Sequence, residues 1–129
     1  MALHTYHSRR RILRVSWGHR LDIQAVRLHF ELLKANKDYD RNLRVITSTG
    51  VEDIHIPLTR ENMILIRDWR EDALAAYQSV RTAAYNLEPV PAAHLSYFSA
   101  FFDSKKSRLR QFPSEDAALA WLLQGQEAI

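Results

Sequence analysis

Two imidazoles three residues apart, His4 and His7, are the first side chains in this chain whose type and spacing could do chemistry, by holding a metal ion. The spacing works against them. On a β-strand an i, i+3 pair points to opposite faces. Neither His19 nor His55 has a second ligand at helical spacing, and zinc ordinarily takes three or four protein ligands. Surface or half-buried histidines are the better reading, and no metal is expected. The chain has no cysteine, so it can form no disulfide, thiolate nucleophile or Cys-based zinc or iron–sulfur centre.

Asp68, Glu71 and Asp72 form an acidic cluster, and paired carboxylates can do acid–base work when their environments drive their pKa values apart. Here Arg67 and Glu71 are four apart, as are Asp68 and Asp72, while Ile66 and Trp69 hold the other side of the same helix. That pattern describes a solvated, charged face. Ser48-Thr49-Gly50 places hydroxyls at a strand end, near the sheet edge where α/β folds bind ligands. No Gly-x-Ser-x-Gly elbow and no glycine-rich phosphate loop accompanies them, so a plain strand-end turn is preferred. No catalytic residue and no cofactor emerges, and the chain reads as non-enzymatic.

Two apolar groups remain. Val51, Ile54, Ile56 and Leu58 put apolar side chains into a connection that would be polar if it were only solvated, and Thr59 follows at a helix entry. Either this is a partner-binding surface or the isoleucines cover the edge of the core. Tyr97, Phe98, Phe101 and Phe102 exceed what one buried helical stripe needs. Their excess suits a pocket for a small apolar ligand or a homodimer interface.

The elements that must position these groups follow from periodicity. Leu3 to Ser8 is β-compatible, Ser8-Arg9-Arg10 is a polar turn, and Leu13, Val15 and Trp17 alternate with Arg14 and Ser16 as in a half-buried strand. Asp22 caps a first helix with Leu21 and Val26 as a hydrophobic staple. Ile23, Val26, Phe30 and Leu33 form its apolar stripe, which Leu28 and Leu32 widen, and the helix ends near Lys37. Leu43 to Thr49 is a strand, and Gly50 to Leu58 is a loop with some extended structure around Ile54 and Ile56. Thr59 caps a second helix with Ile66, Trp69, Ala73 and Tyr77 along one face. Val80 to Leu87 is a strand, and Pro91 opens a third helix. Arg108 to Phe112 is a last strand, and Ser114 caps a fourth helix that Gly125 can end. The fold class is α/β, in the order β-β-α-β-α-β-α-β-α.

A length of 129 residues suits one domain spanning 1–129. Eighteen Lys and Arg against fifteen Asp and Glu leave only +3, too small and too scattered an excess for a nucleic-acid binder. The basic runs Arg9-Arg10-Arg11 and Lys105 to Arg110 read as a solvated turn and a solvated strand entry. No apolar run approaches the roughly 20 residues that span a bilayer. Met1 to Arg11 carries histidines and arginines rather than a secretory apolar core, which makes the cytoplasm the expected compartment.

The closing phrase, Leu109-Arg110-Gln111-Phe112-Pro113-Ser114-Glu115-Asp116-Ala117-Ala118-Leu119-Ala120-Trp121-Leu122, resembles the ending of the STAS superfamily in its SpoIIAA-like branch. There a strand finishes in Arg-x-Phe and a capped helix carries Glu-x-Ala and Ala-Trp-Leu. The element order is similar over nearly the whole chain. The resemblance implies a mixed, mainly parallel sheet with helices packed against it, which with the element order above gives five strands and about four helices. It also implies a role in binding a protein partner, in regulatory switching or in holding a small apolar ligand. Phosphorylated members of that branch carry Asp-Ser-x-Gly at the entry to the second helix. Here the entry reads Ile56-Pro57-Leu58-Thr59-Arg60-Glu61, and Thr59 is the only hydroxyl. Independently of the family, Phe112 and Trp121 should anchor the last strand and helix, with Ala117 and Ala118 allowing close approach.

Overall fold

Alternation of side chains sets the hairpin that opens the fold. In a computed structural model that describes residues 3–18, 20–48, 53–57, 59–85, 93, 96–97, 104 and 106–124, β1 (His4–His7) pairs antiparallel with β2 (Ile12–Val15). Arg11 turns the chain between them in the left-handed region, at φ 57°. A short strand β3 (Arg20–Asp22) then runs into α1 (Ile23–Ala35), which Asp22 caps by accepting a hydrogen bond from the Ala25 amide at 2.9 Å. β4 (Asn42–Ser48), β5 (Asp53–His55), α2 (Arg60–Leu74), β6 (Ser79–Tyr85), β7 (Ser107–Phe112) and α3 (Glu115–Leu122) follow.

The main sheet has five strands in the order β1-β2-β4-β6-β7, parallel except at the β1–β2 edge. This is the mixed, mainly parallel α/β sheet expected from the sequence. Three helices rather than about four are found among the described residues. The expected helix after Pro91 falls mostly outside them, although Ala93, Ser96 and Tyr97 are helical.

Successive residues of a strand face opposite sides, and the two sides bury different partners. Leu13, Val15, Leu43, Val45 and Val80 point toward α1 and α2, packing with Leu33, Ala73, Leu74 and Tyr77. Ile12, Ile46, Ala83 and Tyr85 point the other way, toward Ala118 and Leu122 of α3. Among the described residues α1 and α2 thus cover one face of the sheet and α3 the other.

Two details depart from the expected packing. Leu28 does not widen the buried stripe of α1; it is 45% exposed, because at 3.6 residues per turn it stands about 170° round the helix from the centre of that stripe. α1 also stops at Ala35, where Asn36 caps it, short of Lys37. The last carbonyls of a helix lack intrahelical partners, and the Tyr77 hydroxyl donates to that of Leu33 at 2.6 Å in a buried contact. Tyr77→Phe is therefore expected to cost about 1–2 kcal/mol in urea unfolding, the scale of a buried hydrogen bond whose acceptor is left unpaired. A change within the error of the measurement would show that this carbonyl finds water instead.

Candidate functional site

The two strands that periodicity could not reveal organise the first candidate surface. β3 and β5 form a separate parallel pair, with Arg20 opposite Asp53, Leu21 opposite Ile54 and Asp22 opposite His55. Since β3 runs directly into α1 and β5 is followed within five residues by α2, this pairing brings the two helix entries side by side. Thr59 is exposed and caps α2, its hydroxyl accepting from the Asn62 amide at 3.1 Å. The Asn62 side chain in turn donates to the Pro57 carbonyl at 2.8 Å.

Ile56 is 3% exposed and belongs to the core, so of the two readings of that residue the burial one describes it. Val51, Leu58 and the side chain of Ile54 lie outside the described residues. The exposed apolar side chains that accompany Thr59 are further along, at Ile64 and Leu65 on the second turn of α2. The sequence signal for them is the run Met63-Ile64-Leu65-Ile66. Met63 and Ile66 fill the buried stripe, leaving the middle two for the outer face. The second apolar group is hardly described: Tyr97 is 40% exposed, and Phe98, Phe101 and Phe102 lie outside the described residues.

A histidine–tyrosine chain that sequence reasoning missed sits beneath the β1 edge. His4 and Tyr6 face α1 while His7 faces the other side and is exposed, as strand alternation requires. His4 Nε2 lies 2.8 Å from His29 Nδ1, and His4 Nδ1 lies 3.1 Å from the Tyr39 hydroxyl. Trp17 meets His29 edge-on at 5.2 Å, and Tyr6 lies against Tyr39 at 4.7 Å. A bond between two imidazole nitrogens needs one to carry a proton and the other a lone pair. Burial pushes His4 down to about 4. Burial, with a smaller contribution from the charge on His4, pushes His29 down to about 3. Both rings are neutral at pH 7, and together they tie β1, α1 and the segment before β4 into one pH-sensitive unit. His29 could have been found from its place on the apolar stripe, three residues after Val26 and four before Leu33. Among the described residues no three His, Cys, Asp or Glu side chains gather as a metal would need.

The acidic cluster on α2 is a solvated face. Asp68, Glu71 and Asp72 are exposed, Asp68 pairs with Arg67 and Asp72 pairs with Lys34 of α1 at 2.7 Å.

The opposite side of the sheet is rich in arginine. Arg14 donates to Glu115 at 2.7 Å and to the Tyr85 hydroxyl at 3.2 Å, which holds the start of α3 over the ends of β2 and β6. Those bonds, the one to Glu115 first, raise the Arg14 pKa. Arg81 donates to the carbonyls of Trp121, Leu122 and Gln124, so it closes the other end of the same helix. Lysine or arginine at a helix C-terminus is favoured by the unpaired carbonyls and the dipole. Comparison of the chain with protein-family models, with curated proteins and with solved structures found no match.

Proposed function

We propose that this chain is a non-enzymatic regulatory or protein-interaction module of the STAS-like type, working in the cytoplasm through the entry of α2. The observation that carries the reading is the exposure there of Ile64 and Leu65, two adjacent large apolar side chains within two turns of the exposed Thr59. Adjacent water-facing apolar side chains give a partner a small apolar surface to cover. The five-stranded mixed sheet agrees with what the resemblance implies. No helix among the described residues is long and apolar enough to cross a membrane.

Leu65→Asp and Thr59→Asp test it. Leu65 is 42% exposed and aspartate can still cap the helix at position 59, so each variant should keep its stability within about 1 kcal/mol of wild type. Partners crosslinked in the source cells are then compared by mass spectrometry, with solution mass measured for self-association. The expected result is one protein, or a second copy of the chain, held by the wild type and lost with both variants. Equal capture by all three places the working surface elsewhere.

A further inference from the structure

The register of the main sheet sets three arginines shoulder to shoulder. Arg44 of β4 pairs with Arg81 of β6, and Arg81 pairs with Arg108 of β7, all on the face that carries α3. Neighbouring strands lie about 4.8 Å apart, so three guanidinium-bearing residues share one row about 10 Å wide. Like charges directly opposite one another are destabilising in a sheet. An anion bound along a row of three would offset that repulsion.

The protein offers this row few acceptors. Arg81 spends its bonds on the carbonyls at the end of α3, which carry no net charge, and lies 5.6 Å from the Trp121 ring. Arg44 and Arg108 have no ion pair with any described residue. The Nε of Arg44 is buried without a hydrogen-bond partner, which singles it out among the buried side-chain atoms described. Leaving such a donor unpaired costs free energy, more so when it belongs to a charged group. Burial and the nearby charge of Arg44 lower the Arg81 pKa, which fits a cation crowded by another cation. The next row behaves differently: Arg14, opposite Ile46, has Glu115 as its counter-charge.

We propose that the Arg44–Arg81–Arg108 row is a binding site for a phosphate group, either inorganic phosphate or the phosphate of a small monoester. A divalent tetrahedral oxyanion has three oxygens to accept from the guanidinium forks of Arg44 and Arg108, beside the charge of Arg81, whose own donors serve α3; such forks match phosphate geometry. A single carboxylate would leave most of the charge of the row uncompensated. The site is separate from the α2 entry, which lies with α1 on the other face of the sheet.

The test uses the full chain in titrations followed by heat and by thermal unfolding. Inorganic phosphate and glycerol phosphate are compared with chloride at equal ionic strength, and a short single-stranded DNA serves as a phosphodiester control. Saturable binding of phosphate, glycerol phosphate or both is expected, with a rise in unfolding temperature that chloride does not give. Tighter binding of glycerol phosphate would identify a monoester as the source of the group. Arg44→Met keeps the aliphatic stem and removes the unpaired donor. It should weaken phosphate binding about tenfold or more, the loss of one charge-assisted fork, yet unfold no earlier than wild type without phosphate. Arg108→Gln, at an exposed position, should weaken binding in a protein that folds normally. The proposal is overturned if phosphate gives no more than chloride, if DNA binds while neither phosphate does, or if Arg108→Gln binds phosphate like the wild type.

Discussion

Leu122→Ala should destabilise the protein by about 3 kcal/mol, within the range for truncating a fully buried leucine to alanine. Its side chain is wholly buried beside Ala118, above Ile46 and Ala83. A helix of eight residues is too short to hold its shape without tertiary contacts, so α3 depends on that contact. Ala118 and Leu122 are four apart and share the inward face. Trp121 stands one position round the helix, part-buried at the edge of that cluster, with the Phe112 ring at 5.4 Å and Arg81 at 5.6 Å. Trp121→Ala should therefore cost less than Leu122→Ala, about 1–2 kcal/mol, in line with partial burial and one aromatic pair. Urea midpoints of the two variants check the order. A Leu122→Ala loss below about 1 kcal/mol, the scale of a surface change, would mean that α3 is held by something other than this contact.

Stability should also fall steeply in mild acid. His4 and His29 are held neutral, at about 4 and about 3, against 6.5 in an unfolded chain. Between those values and 6.5 the unfolded chain binds more protons than the folded one, so acidification favours unfolding. The stability from keeping both rings neutral is fully present above pH 6.5 and drains away as the pH falls through about 4 for His4 and about 3 for His29. From pH 7 to pH 5 the loss should be on the order of 2–4 kcal/mol for the two rings together, the lower figure allowing for water that reaches them. Denaturant unfolding at pH 7, 6 and 5 measures it, with His4→Phe/His29→Leu as the comparison. The double variant should show a much flatter dependence over the same range. Parallel curves would assign the acid sensitivity to the carboxylates and remove the histidine pair from the account.

The outline of the fold was legible because local physics determines it. Asp22, Thr59 and Ser114 are each a short oxygen-bearing side chain before an apolar stripe, and each accepts a bond from an amide three residues on. The five main strands alternate or run apolar over four to seven residues, enough for a period of two to register. β3 and β5 are three residues each, too short to carry a period, and form only because they find each other across the chain. The candidate sites lie on that same side of the division. A histidine on a helical stripe says nothing about a second histidine 25 residues earlier until β1 is laid against α1. Arg44, Arg81 and Arg108 are spread over 65 residues, and nothing in the neighbours of any one of them along the chain points to the other two. Their likeness in charge acquires meaning only through strand order and register, which depend on how the apolar faces of β4, β6 and β7 pack. Sequence determined which residues point the same way along each strand and helix. The tertiary structure decided which of those faces meet, because the free energy that fixes register comes from burying side chains distant in the chain.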